Sequence, residues 1–228
     1  MDRRTALPLI AACLLGHAAA TMADTASMSD RAQHRLHRST AACCIDPAEF
    51  EFTDATLPGR SILDIGPSSR LFEFHSGRSF FAALRLPATD SAYRVRVKSL
   101  LQGKGDATRV FYPVVALLND NFIVTRVSSV AHLRLEPGLA TPGGAAGLAL
   151  TIRVDPAFAR ERYLVVFTPA VLLGAAPEER READMLTESA TEFFDRKGEA
   201  AIRPAVFGHL HVSLVPDTGD SAPAGDGG

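Results

Sequence analysis

Short stretches in which apolar and polar residues alternate recur from residue 71 to residue 215, each closed by proline, glycine, asparagine or aspartate. That pattern constrains the fold more than any other feature, because a two-residue period suits a half-buried strand and no helix. Residues 93–100 carry it most cleanly: Tyr93, Val95 and Val97 fall on one side, Arg94, Arg96 and Lys98 on the other. Residues 71–75, 79–86, 109–118, 122–127, 148–154, 163–168 and 206–215 are the other strand candidates. Asn119-Asp120-Asn121 sits between two of them and predicts a hairpin turn, since these side chains tolerate left-handed backbone. Asp155-Pro156 is expected to end the strand before it.

One segment departs from this period. Residues 177–197 start with Pro177, Glu178 and Glu179 and end before Gly198, with Ala183, Leu186, Ala190, Phe193 and Phe194 at helical spacing. Proline and acidic residues suit a first turn, and glycine suits the residue after a last turn. No strand–helix–strand alternation surrounds it, which argues against a parallel doubly wound sheet. The expected fold is mainly β: an antiparallel β-sandwich, jelly-roll or Ig-like, with one α-helix in the C-terminal half.

The first 23 residues read as an export signal. Arg3 and Arg4 precede an apolar run from Ala6 to Leu15, and small residues follow, with cleavage expected after Ala23 or, alternatively, after Ala20. Lipidation at Cys13 is the competing reading of the same stretch. Residues 24–45 form a polar leader that ends in the adjacent Cys43 and Cys44; 46–216 form the sandwich domain; 217–228 form a disordered tail of small and polar residues. In an oxidising compartment Cys43 and Cys44 could close a vicinal disulfide, stay as two thiols, or bridge to another chain. The formal net charge is only −2, which does not suggest nucleic-acid binding, and no apolar stretch after the signal is long enough to span a bilayer.

Several segments, taken in order, resemble the maltose operon periplasmic protein (MalM) family. They are Cys43-Cys44, residues 72–87 (FEFHSGRSFFAALRLP), the strand at 93–100, residues 110–122 (VFYPVVALLNDNF), 162–168 (RYLVVFT) and 203–212 (RPAVFGHLHV). The resemblance covers about three quarters of the chain. It implies a periplasmic protein linked to maltose and maltodextrin uptake, with a maltodextrin or an envelope transport protein as partner. It assigns no catalytic residue.

The residues themselves carry few chemical signatures. Nucleophile elbows, zinc-protease motifs and phosphate-binding loops are missing, so a non-catalytic protein without cofactors is expected, and an envelope hydrolase is the weaker alternative. His209 and His211 share one strand face and are the candidate metal ligands, though two imidazoles alone make an incomplete set. Arg94, Arg96 and Lys98 form a basic stripe that could meet an anionic surface. For a sugar, Tyr112 is the expected stacking residue, with Asn119, Asp120 and Asn121 as hydrogen-bonding groups; Tyr93 and Tyr163 are expected to face inward.

Overall fold

The computed structural model describes residues 36, 42–103, 108–136, 138, 145–174 and 202–217. They form two large sheets and one small ladder from β1 (Thr53–Asp54), β2 (Gly59–Ile65), β3 (Leu71–Phe74), β4 (Gly77–Arg85), β5 (Tyr93–Leu100), β6 (Arg109–Val110), β7 (Val114–Asn119), β8 (Val124–Val127), β9 (Arg134–Glu136), β10 (Gly147–Val154), β11 (Glu161–Phe167), β12 (Arg203–Pro204) and β13 (Gly208–Pro216). The first sheet runs β1-β4-β11-β7-β8, with β3 also pairing β4. The second runs β2-β13-β5-β10-β9, and β12 and β6 make a separate two-stranded ladder.

The sheets pack face to face over one core. Phe80, Leu84, Val115, Leu117, Leu164 and Val166 of the first sheet join Val95, Val97, Leu148, Leu150, Leu210 and Leu214 of the second. In β5 and β13 buried residues alternate with exposed or half-buried ones, so the second sheet keeps one wet face. The first sheet is different. Phe81, Ala83, Val114, Ala116, Leu118, Val165 and Phe167 are buried on its other side as well, beneath Cys44 and Phe50. A sheet buried on both faces needs continuous apolar strands, which is why residues 79–86 and 114–118 do not alternate.

The alternating strands appear where the period placed them, and the 119–121 hairpin joins β7 to β8 in antiparallel register. Three expectations change. The sandwich is mixed rather than purely antiparallel, because β1 lies parallel to β4 and β12 parallel to β6. The single strand expected at 109–118 is two: Pro113 cannot donate to a ladder, and the chain turns from β6 to β7 across it. Residues 42–45, assigned to a leader, are tied to the domain: the Cys43 N–H donates to the Leu71 carbonyl at 2.7 Å, and Cys44 is buried. The helix at 177–197, the signal at 1–23 and residues 218–228 of the tail lie outside the described residues; Asp217, assigned to that tail, instead pairs with Arg94 and Arg153. Two short helices do occur, Pro156–Ala159 and Ala170–Gly174. Asp155 ends β10 as expected and also caps the first of these, its carboxylate accepting from Ala157 N at 3.2 Å.

Gly77 opens β4 with φ +96°, and a Cβ there would lie 2.7 Å from that of Ala170. Only glycine meets both conditions, so the tight β3–β4 hairpin depends on it. That hairpin orients Phe72 and Phe74 onto the outer face of the first sheet, where the candidate site lies.

Candidate ligand-binding face

Residues 44–52 cross the outer face of the first sheet and cover it with aromatic rings. Phe50 sits 4.3 Å from Phe81 and 4.8 Å from Phe72, and Phe74 stacks on Phe167 at 4.0 Å, centroid to centroid. These contacts seal the face near the β3–β4 hairpin. At the other end three rings meet at the surface. Tyr163 lies 4.4 Å from Phe52 and 4.6 Å from Phe122, the latter pair only 19° from parallel. All three are half-buried, so each presents part of its ring to solvent.

The β7–β8 turn positions Phe122. Asn119 Oδ1 accepts from the N–H groups of Asn121 and Ile123 at 2.9 and 3.0 Å, and the Asn119 carbonyl accepts from Phe122 N at 3.1 Å. Asn119 thus spends its side chain on the backbone, while Asp120 and Asn121 remain exposed beside the rings. Phe122 has φ +60°, a left-handed conformation that costs a bulky residue about 1–2 kcal/mol. Its stacking on Tyr163, worth about 0.5–1.5 kcal/mol, offsets much of that cost.

Two expectations about aromatics are corrected here. Tyr112 is 3% exposed and belongs to the inter-sheet core, so it offers no ring to a ligand. Tyr163 does not face that core. Its neighbours Leu164 and Val166 do, and the one-residue alternation of β11 turns Tyr163 outward. Tyr93 is buried as expected, and burial, reinforced by the Glu161 charge, pushes its hydroxyl up to about 12. Phe52 and Phe122 were not singled out in the sequence, because the Phe50-Glu51-Phe52 alternation is too short to mark a strand and Phe122 stands directly after a turn.

The basic stripe lies on the wet face of the second sheet, and each cation there has an acidic partner. Arg94 Nε is 2.8 Å from Asp217, Lys98 is 3.3 Å from Glu136, and Arg96 also pairs with Glu136. Arg153 bridges Asp155 and Asp217 at 2.9 and 2.7 Å. The Arg153 hydrogen bond, with the Arg94 charge adding to it, holds the Asp217 carboxyl below the usual range. The stripe is therefore an internally neutralised network, not an open cationic surface. His209 and His211 share that exposed face; His209 pairs with Asp64 of β2, and His211 stands opposite Ile62 and Lys98. Among the described residues no three His, Cys, Asp or Glu side chains gather closely enough to hold a metal.

A polar cleft of about 330 Å³ opens between the edges of the two sheets. Glu51, Asp64, Ser68, Ser69 and Arg70 line it above Phe81. Its charges are already partnered, Arg70 with Glu51 and Asp64 with His209. The aromatic trio has no such internal claim on its solvent-facing edges, which makes it the better candidate.

Among the described residues, no helix is long and apolar enough to cross a membrane, which does not bear on spans made of strands. No curated protein matches the chain. Residues 76–177 match the family described as maltose operon periplasmic protein precursor (MalM). The matched segment starts in the β3–β4 turn and takes in β4 to β11, hence Tyr163, Phe122 and the 119–121 turn; Phe52, the cysteine pair and β13 lie outside it. Over that segment, a little under half of its length, the chain is similar to the MalM family.

Proposed function

We propose that this protein is a non-catalytic periplasmic accessory of maltose and maltodextrin transport, and that it binds a saccharide on the outer face of its first sheet. The observation that carries the reading is the half-buried stack of Phe52, Tyr163 and Phe122 beside the exposed Asp120 and Asn121. A sugar ring needs an apolar platform for its C–H face and polar groups at its rim for its hydroxyls. Both occur here on strand β11, the segment that leads into β1, and a tight turn. The similarity of residues 76–177 to a maltose operon family supports a glucose polymer as the ligand class. Titration calorimetry with maltose and longer maltodextrins tests this. Binding heat that disappears in Tyr163→Ala supports it. No heat and no rise in melting temperature at millimolar sugar sinks it, since a ligand of the native state must stabilise that state.

A scaffolding role without a small ligand is the second reading. It draws on β8, the terminal strand of the first sheet among the described residues, where Val124 and Val127 are 49% and 57% exposed. An open apolar edge suits strand addition by an envelope protein. Cross-linking from the edge of β8 to another periplasmic protein, together with calorimetric silence toward sugars, favours it.

A further inference from the structure

Cys43 and Cys44 are joined in a disulfide whose two sulfurs stand in different environments. Cys43 is exposed, whereas Cys44 is 7% exposed and packs with Phe50 and Phe81. The Arg70 guanidinium reaches only the buried sulfur: its Nη1 lies 3.7 Å from Cys44 Sγ. The same nitrogen donates to the Glu49 carbonyl at 3.2 Å, and Nη2 pairs with Glu51. The Glu49 carboxylate accepts from Ile45 N, the amide that follows Cys44, at 2.9 Å. A disulfide between neighbours closes no long loop, so it adds little to stability through chain entropy. Its asymmetry therefore calls for another account.

We propose that this pair is a polarised thiol-exchange site, in which an incoming thiolate attacks Cys43 and Cys44 is the leaving group. The nucleophile's sulfur bonds to Cys43 Sγ and the Cys43–Cys44 bond breaks. The electron pair stays on Cys44 Sγ as a thiolate, beside Arg70. Attack occurs where solvent reaches, and the better leaving sulfur is the one whose negative charge is stabilised. If the reagent is a dithiol, its second thiolate attacks the mixed disulfide and releases Cys43. The dithiol leaves as a disulfide, and the protein gains two electrons and, from solution, two protons. The partner class is thus a small thiol or a dithiol oxidoreductase, whatever ligand the aromatic face takes.

Reduced glutathione and the full chain suffice for the test. After brief reaction the mixture is quenched in acid, and freed thiols are capped with a maleimide. The tryptic peptide of residues 39–60 carries both cysteines and Cys13 lies on another, so fragmentation assigns each sulfur. Glutathione should sit on Cys43 and maleimide on Cys44 in about tenfold preference, and Arg70→Gln should slow the reaction roughly three- to tenfold while Arg70→Lys keeps most of the rate. Equal labelling, glutathione mainly on Cys44, or no adduct overturns the proposal. So does an unchanged rate in Arg70→Gln when circular dichroism shows that the variant is folded.

Discussion

Arg126 of β8 forks onto both oxygens of the Glu161 carboxylate, with its Nε and Nη2 each at 2.7 Å. Glu161 lies at the β11 irregularity, with a side chain only 1% exposed, whereas Arg126 is 47% exposed. Thr125 Oγ1 adds a third bond to the carboxylate at 3.0 Å, and Arg126 Nη2 also donates to the Arg153 carbonyl of β10 at 2.8 Å. One arginine thus fastens the edge of the first sheet to the second. The hydrogen bond to Glu161 raises the Arg126 pKa above its ordinary value.

Removing Arg126 strands a buried carboxylate. Arg126→Met should lower unfolding stability by roughly 3 kcal/mol, the low end for breaking a buried pair because the arginine is half exposed. Arg126→Met with Glu161→Leu should recover much of that loss. Urea unfolding of the two variants decides it: equal losses would show that the pair is not what the β8 edge depends on.

Tyr93 sets an alkaline limit. Unfolded, its hydroxyl ionises near pH 10, but in the native core only at about 12. Its contribution is therefore fully present below about pH 10 and is lost as the pH rises toward 12. Melting temperatures across that window should fall less steeply in Tyr93→Phe than in the parent chain. Tyrosinate absorbance should show one hydroxyl that ionises only as the fold is lost.

Asp217 sets an acid limit of opposite sign. Its pKa is lowered by Arg153 and Arg94, so its contribution is present above the ordinary aspartate value of about 3.9 and is lost as the pH falls below it. Asp217→Asn should melt earlier than the parent at neutral pH and converge with it in acid. Salt should narrow the gap at neutral pH, because Arg94 and Arg153 are about half exposed.

Phe122→Asn separates binding from folding. Asparagine accepts the left-handed backbone that strains phenylalanine, so relief of strain and loss of ring contact should nearly cancel, within about 1 kcal/mol. Maltodextrin affinity should fall regardless, because one platform ring is gone. A variant that binds as well as the parent would remove Phe122 from the proposed site.

The strands were legible where one face is wet. Tyr93, Val95 and Val97 alternate with Arg94, Arg96 and Lys98 because β5 has a core side and a solvent side, and the period reports that difference directly. Val114, Val115 and Ala116 gave a long apolar run but no orientation, since both faces of β7 are buried. The parallel pairing of β1 and β12 was invisible, because two residues hold no period and their partners are distant in sequence.

The site divides along the same line. Local chemistry alone determined the 119–121 turn, because the asparagine side chain satisfies amides two and four residues away. For Cys43 and Cys44 it left a vicinal bridge, two thiols and a bridge to another chain all open, and the folded structure shows the vicinal bridge. Only the tertiary structure decided that Tyr112 enters the core while Tyr163 meets Phe52 and Phe122 at the surface. The same holds for the pairing of Arg126 with Glu161 and the approach of Arg70 to one sulfur of two. Periodicity states that a strand has two sides. Which side is covered depends on segments brought there from far along the chain, and only the folded packing specifies that.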